Sequence, residues 1–400
     1  MTHPASNKLN PSREIIDTYS LKHLSTHTEQ SHRALSNKSF ELRTSEKRKH
    51  ATSLLNRTKM SPPDVLVTGA CGHLGYALML SLPSYGYNPV GIDILPSPTS
   101  DGHPVHVGSI ADPDFCASIF EQYPTLRYVL HTATLHKPHV GTHSKSDFID
   151  TNIRGTLNLL EAAAAAARQP NQIEGFVFTS TTSTFGKALA PRAGQPAAWI
   201  DEQVVPVPKN IYGTTKVAAE DLCQLVQAET GLPTLVLRTS RFFPEQDDDE
   251  QARALYEDDN LKVCELLYRR VDVQDVVSAH VCAMREARAI GWGKYIISAP
   301  PPFAKSPELL SLLDSDAAGA ISQVLPAHAK MLLDRGWKLP ARLDRVYDSR
   351  KAVAELKWTP EYTFERAVEL VNEGKDWKSP LTGRMGKRGY HAKPTGVYTR

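Results

Sequence analysis

Along residues 64 to 370, hydrophobic positions fall into two alternating kinds of block. Short apolar runs of β-formers, at Val65 to Val67, Pro89 to Asp93, Val105 to Gly108, Tyr128 to His131 and Gly175 to Ser180, predict strands. Between them stand longer segments with helical spacing. Phe148, Ile149, Ile153, Leu157, Leu159 and Leu160, followed by an alanine run of high helix propensity, predict one long crossover helix from Asp147 to Ala167. A further helix starts at Asn210. Strands alternating with helices predict an α/β fold with a doubly wound parallel sheet. The break at Pro300-Pro301-Pro302 sets off a small C-terminal substrate-binding lobe, 301–400, from a dinucleotide-binding domain, 61–300, that carries an insertion near 239–270. Ile321 to Leu333 with Trp337 are expected to cap the substrate site, whereas the glycine-rich, basic tail after Lys378 has no periodicity.

Residues 1–60 break this pattern. They are rich in Ser, Thr, His and Lys, and read as a disordered extension that buries too little apolar surface to fold alone. Glu14, Asp17, Glu29, Glu41 and Glu46 argue against a transit peptide, and Met60 is a candidate functional start. The remaining composition suits a sizeable core: 400 residues, 41% hydrophobic and 22% charged. A net charge of +2 leaves no electrostatic footprint for nucleic acid or an anionic membrane, so a small-molecule substrate is the expected partner. Cys71, Cys116, Cys223, Cys264 and Cys282 form no C-x-x-C pair and read as buried thiols of a reducing compartment. With no bilayer-spanning run and no secretory signal, the expected location is cytoplasmic.

The first strand runs into Gly69-Ala70-Cys71-Gly72-His73-Leu74-Gly75. Glycines at this spacing between strand and helix let backbone approach a pyrophosphate, whose charge the helix N-terminus favours. Asp93 ends the second strand about twenty residues later, where an acidic side chain grips a ribose hydroxyl, and this favours NAD over NADP; the competing reading is a turn aspartate. Ser109 or Asp112 could reach the adenine. After the fourth strand, small residues including Ala133 and Thr134 leave room for a ligand. His131, His136, His139 and His143 fit no helical zinc pair and have no carboxylate cluster beside them, so they read as loop donors and no metal is expected. Asn152 reads equally as an inward hydrogen-bonding residue or a surface asparagine.

The fifth strand ends in the hydroxyl run Thr179 to Thr184, and downstream lies Tyr212-Gly213-Thr214-Thr215-Lys216. Tyr212 and Lys216, four apart, share a helical face. A phenol is a poor base at neutral pH, but a nearby ammonium and an oxidised nicotinamide favour the phenolate. A hydroxyl from the strand end can then hold a substrate oxygen while Tyr212 takes its proton.

These pieces together resemble the extended short-chain dehydrogenase/reductase superfamily, in its NAD-dependent epimerase/dehydratase branch. The resemblance rests on Thr68-Gly69-x-x-Gly72-x-x-Gly75, Asp93, His131-x-Ala133, Asn152-x-x-Gly155-Thr156, Phe178-Thr179-Ser180-Thr181-x-x-x-Phe185-Gly186, Tyr212-x-x-x-Lys216, Leu237-Arg238 and the segment around Val273 and Asp275. It implies NAD as cofactor, Thr181, Tyr212 and Lys216 as catalytic residues, and Lys216 on the cofactor ribose. It also puts His136 and Lys137 near nicotinamide or substrate, Thr182 at the substrate, and a homodimer as the assembly. Departures narrow the chemistry. Dehydratases of the branch place Asp-Glu after the catalytic threonine and decarboxylating relatives a glutamate; here Thr182-Ser183 follow Thr181. Elimination therefore lacks its acid and base, which leaves reversible oxidation of a secondary alcohol. Thr239-Ser240-Arg241-Phe242-Phe243-Pro244 lacks the asparagine that helps hold a diphosphate, although Arg241 could grip an anion, and Asp272 replaces a histidine. Asp247 to Glu250 read as a solvated loop, one that would repel a diphosphate if it folded over the pocket. The expected function is an NAD-dependent epimerase or dehydrogenase acting on a sugar or nucleotide-sugar-like alcohol. The alternative is a keto-reductase or alcohol dehydrogenase of a non-sugar small molecule.

Overall fold

Near-continuous apolar runs make strands whose two faces are both covered, as in a parallel sheet. The computed structural model describes residues 61–386 apart from 98–101, 168–172, 190, 193 and 248; the expectations for 1–60 and for the end of the tail lie outside these residues. Seven strands, β1 (Val65–Thr68), β2 (Pro89–Asp93), β3 (Val105–Val107), β4 (Tyr128–His131), β5 (Gly175–Thr181), β7 (Thr234–Thr239) and β8 (Trp292–Ile297), form one sheet in the order 3-2-1-4-5-7-8. Every pairing in it is parallel. The order reverses between β1 and β4, the position at which doubly wound sheets open a crevice. β6 (Ala198–Ile200) leaves the sheet and pairs with β9 (Arg345–Tyr347).

The pleat sorts the core into two layers. Val65, Val67, Leu130 and Val177 pack with α1 (His73–Ser81) and with Val276, Val277 and Ala283 of a later helix. Leu66, Val129, Phe176 and Val236 face the opposite layer, made by α2 (Pro113–Gln122), the crossover helix and the helix that begins at Ile211. A separate cluster gathers Trp199, Val263, Leu267, Leu313, Phe364 and Val368.

Two expectations change. The segment 147–167 is not one helix but α3 (Lys145–Ile149), a π turn (Asp150–Arg154) and α4 (Gly155–Ala167). The wider turn lets Asn152 face inward, and α4 then starts at a glycine pressed on Ile110, whose Cγ1 an added Cβ would approach to 2.6 Å. Ile321, Leu332 and Trp337 do not cap the ligand cleft: they are buried in the separate cluster and line none of it. Their spacing reports a core face.

The remaining numbered helices are α5 (Ile211–Thr230), α6 (Glu250–Leu255), α7 (Asp258–Glu265) and α8 (Val273–Ile290). Asn210 caps α5 by accepting from the Gly213 N–H at 3.0 Å, and Gly231 ends it at φ +75°. Asp272 caps α8 through the Gln274 N–H and also accepts from the Ser379 N–H and the Thr382 hydroxyl, which ties residues 379–382 to the helix start. All five cysteines are free thiols, and Cys282 alone is only partly buried. No described helix is long and apolar enough to cross a membrane.

Candidate active site

A cleft of about 710 Å³ opens at the carboxyl ends of the strands, as the switch in strand order predicts. Its lining includes Gly69 and Gly72 to Gly75 after β1, Asp93 at the end of β2, Thr132 to His139 after β4, Thr179 to Ser183 from β5, Tyr212 of α5 and Thr239 to Phe243 from β7. Of the residues singled out from sequence, Gly69, Gly72, His73, Leu74, Gly75, Asp93, Ala133, Thr134, His136, Lys137, Thr181, Thr182, Tyr212 and Arg241 all line this cleft. Lys216 does not: it is 1% exposed, donates from Nζ to the Thr179 carbonyl at 2.7 Å and sits 3.8 Å from the Phe178 ring centre.

The glycine turn is built by contact. Gly69 adopts φ +67°, and a Cβ there would stand 2.8 Å from the Ala133 Cα. At Gly75 a Cβ would stand 2.0 Å from the Gly69 carbonyl oxygen, so only glycine lets α1 begin against the turn. No side chain caps α1 at Gly72, and the helix begins at the wall of the cleft. Asp93 accepts from the Cys71 N–H and from the Leu95 N–H, both at 2.9 Å. It thus acts as a turn aspartate and a cleft residue at once. Ser109 lines the cleft; Asp112 instead caps α2 through the Asp114 and Phe115 N–H groups.

Around Tyr212 the polar groups are nearly all spoken for. Thr181, the last residue of β5, accepts at Oγ1 from the Ser183 N–H at 3.1 Å and lines the cleft with Tyr212. Burial pushes the Tyr212 phenol up to about 12, against the lowering effect of Thr181. Burial also pulls the Lys216 ammonium down to about 7, against Cys223 and Glu220. Desolvation, rather than mutual attraction of the pair, dominates both groups in the protein by itself. Behind them, fully buried Glu220 accepts from Ser180 at 2.6 Å and from Arg238 through two nitrogens, which clamps α5 to β5 and β7.

Asn152 resolves to its inward reading. Its Oδ1 accepts from the Leu135 N–H at 2.8 Å and the Thr134 hydroxyl at 3.0 Å; its Nδ2 donates to the Leu135 carbonyl and to Thr215 Oγ1. One side chain therefore joins the loop after β4 to the helix that carries Tyr212. His131 bridges Thr68 and Thr156 and burial holds its pKa well down, so it is a neutral structural histidine.

The far wall was largely missed by sequence reasoning. Phe242 and Phe243 stack with ring centres 4.5 Å apart, and His136 lies parallel on Phe243 at 5.6 Å. Their position directly after a central strand was the available signal. Arg345 and Tyr347 reach the cleft only because β9 pairs with β6, which no local pattern reveals. Asp247 is not in a solvated loop: it is 4% exposed and ion-paired to Arg241 and Arg269. Asp249 caps α6.

A parallel doubly wound sheet with a glycine-rich first turn and a cleft at its carboxyl edge is the architecture of the extended short-chain dehydrogenase/reductase class. The chain belongs to the NAD dependent epimerase/dehydratase family, whose model matches residues 65–297. It is 31% identical over 186 residues to a UDP-glucose 4-epimerase of Rhizobium meliloti strain 1021, covering 45% of this chain and 52% of that one. The chain thus matches about half the length of that relative. It is 25% identical over 328 residues to a GDP-6-deoxy-D-mannose reductase of Pseudomonas aeruginosa, covering 79% and 97% of the two chains. Among solved structures, a UDP-glucose 4-epimerase of Thermotoga maritima with UDP-glucose superposes with a TM-score of 0.53 at 22% identity, covering 78% and 97%. That likeness concerns the fold.

The cleft fits the family's cofactor, NAD. The glycine cradle a Cβ would fill, the side-chain-free start of α1 and the Asp93 carboxylate at the end of β2 are the donor set and shape that a dinucleotide requires.

Proposed function

We propose that this chain is an NAD-dependent epimerase or dehydrogenase that acts on a secondary alcohol of a sugar or nucleotide-sugar-like substrate. The observation that carries the reading is that Thr181 at the end of β5 and Tyr212 at the start of α5 line one cleft with the glycine turn. Bound NAD supplies the hydride acceptor. Gly69 to Gly75 and Asp93 would hold its phosphates and ribose, and Lys216 would be the cation on the ribose side. Thr181 Oγ1 orients the substrate oxygen, and Tyr212 accepts the hydroxyl proton at its phenolic oxygen, or returns it in the reverse direction. Burial raises the phenol's pKa in the protein alone, and a positively charged cofactor would favour the phenolate.

Elimination finds no support: Thr182 and Ser183 follow Thr181, and among the described residues the carboxylates lining the cleft are Asp93, Asp247 and Asp249. The aromatic wall of Phe242, Phe243 and His136 favours a second reading, a keto-reductase or alcohol dehydrogenase of a non-sugar molecule. Incubating the purified protein with NAD and a panel of secondary alcohols tests both. Inversion at the carbinol carbon without net NADH identifies an epimerase, and stoichiometric NADH a dehydrogenase. Absence of NAD binding and of both products would overturn the proposal.

A further inference from the structure

We propose that His139 is a positioning residue for the cleft: as a neutral imidazole it caps the turn that follows β4 and sets the His136 ring on Phe243, and its protonation in mild acid releases that wall. The inference rests on the reading of the cleft as an NAD-dependent alcohol site and adds a pH-sensitive element to it.

Lys137–Gly141 form a short 3-10 turn whose start is closed by two histidines in place of the usual small polar caps. His139 Nδ1 accepts from the His136 N–H at 3.0 Å, and the His136 side chain accepts in return from the His139 N–H. A ring nitrogen that accepts is unprotonated, so each imidazole is neutral and bears its proton on the other nitrogen. The two halves of the exchange are unequal. The His139 N–H also donates to the His136 carbonyl at 2.9 Å, so that half keeps an acceptor when the His136 ring is protonated. The other half does not survive a proton on His139 Nδ1, which would set one N–H against another.

The next helix supplies the contrast. Ser144 and Asp147 make the same exchange at the start of α3, where the Asp147 carboxylate accepts from the Ser144 N–H at 2.8 Å. Its hydrogen bonds with Ser144 hold that carboxylate below its ordinary range, so this cap persists through mild acid. An ordinary imidazole titrates at about 6.5. Two successive caps in one loop thus differ in kind: the neutral form of His139 holds its cap at and above neutral pH, and the cap is lost as pH falls through the imidazole's range.

What this cap holds is a wall of the cleft. His136, Lys137 and His139 line it, His139 is 6% exposed, and the His136 ring stands edge-on to His139 at 4.7 Å and parallel to Phe243 at 5.6 Å. The loop is anchored on either side, by Asn152 at Leu135 and by the Thr142 and His143 N–H groups, which donate to the His139 carbonyl at 2.9 and 3.0 Å. The ionisable neighbours on the loop are His136, Lys137 and His143, the last edge-on to His139 at 4.9 Å. The turn packs on α5, which carries Tyr212 and Lys216, and across the cleft stand His73, Arg241 and Asp247. Of these, Lys216 is held by burial at about 7 and also titrates in this range, but it is common to the proteins compared below.

NAD is titrated by fluorescence into the unmodified full chain and into His139→Asn, at about pH 7.5 and about pH 5.5. Asparagine keeps an acceptor at this position, as Asp147 does in the neighbouring cap, and does not titrate. If the capped form is the one that binds, a group of ordinary imidazole pKa weakens binding by about tenfold over this interval. The unmodified chain should therefore lose about tenfold more NAD affinity in acid than the variant does, and equal losses overturn the proposal. Hydrogen exchange of the unmodified chain, corrected for the intrinsic pH dependence of amide exchange, makes the same test without a variant. A peptide covering residues 134–141 should lose protection in acid while one covering 144–150 keeps it. Unchanged protection in both overturns the proposal, whether or not His139→Asn folds. If the cap opens in acid and NAD affinity falls with it, but no alcohol is turned over at any pH, the oxidoreductase reading fails while the positioning role of His139 stands.

Discussion

Replacing Asn152 by alanine tests whether the π turn exists to hold the active-site loop. The side chain is 2% exposed and makes four hydrogen bonds, to both backbone groups of Leu135 and to the hydroxyls of Thr134 and Thr215. Two of the four partners have a second bond: Thr134 Oγ1 also reaches the Leu135 carbonyl at 3.1 Å, and Thr215 Oγ1 the Tyr212 carbonyl at 3.0 Å. The Leu135 N–H is left without its acceptor. At about 1 kcal/mol for each of the three bonds whose partners keep another bond and about 1–3 for the Leu135 N–H left unsatisfied, Asn152→Ala should cost roughly 4–6 kcal/mol in all. A surface asparagine would cost less than about 0.5. Urea unfolding at fixed NAD concentration measures this through the midpoint, and an unchanged slope certifies the comparison. Because Leu135 lines the cleft, NAD affinity should fall in the same variant. A stability loss below about 1 kcal/mol with unaltered NAD affinity would refute the argument that Asn152 couples the two elements.

Two further outcomes follow from the same geometry. Gly75→Ala drives a Cβ to within 2.0 Å of a backbone carbonyl that cannot yield cheaply, so the variant should lose NAD binding, read by fluorescence titration, even where it folds. In NAD-free protein burial holds Lys216 down at about 7, so the unfolded chain binds the extra proton between roughly pH 7 and 10 and stability rises with pH across that window. The Lys216 contribution should be about 2 kcal/mol from pH 7 to pH 9, and the difference between the unmodified protein and Lys216→Met in paired denaturation series should show it; parallel pH profiles would contradict it.

The doubly wound sheet was legible because its central strands are short apolar runs buried on both faces, and because the glycine turn and Asp93 stand at a spacing set by one strand-helix-strand unit. Tyr212 and Lys216 were legible for the same local reason. What local pattern could not supply was long-range contact. Asn152 gains its role from Leu135 and Thr215, reached through a π turn that helical periodicity smooths over. Asp247 reads as one residue of an acidic run until Arg241 and Arg269 are brought to it. The apolar stripe from Ile321 to Leu333 signals burial without saying beside what, and it packs with Phe364 and Val368 rather than over the ligand.

The most direct test of the Thr181/Tyr212/Lys216 account is single-turnover hydride transfer in Tyr212→Phe, measured beside NAD affinity and thermal stability. Removal of one hydroxyl from a ring of the same shape should leave NAD binding and folding close to the unmodified protein and slow hydride transfer by about a hundred- to ten-thousand-fold. A variant that binds NAD normally and transfers hydride within about tenfold of the unmodified rate would contradict the assignment of Tyr212 as the proton acceptor.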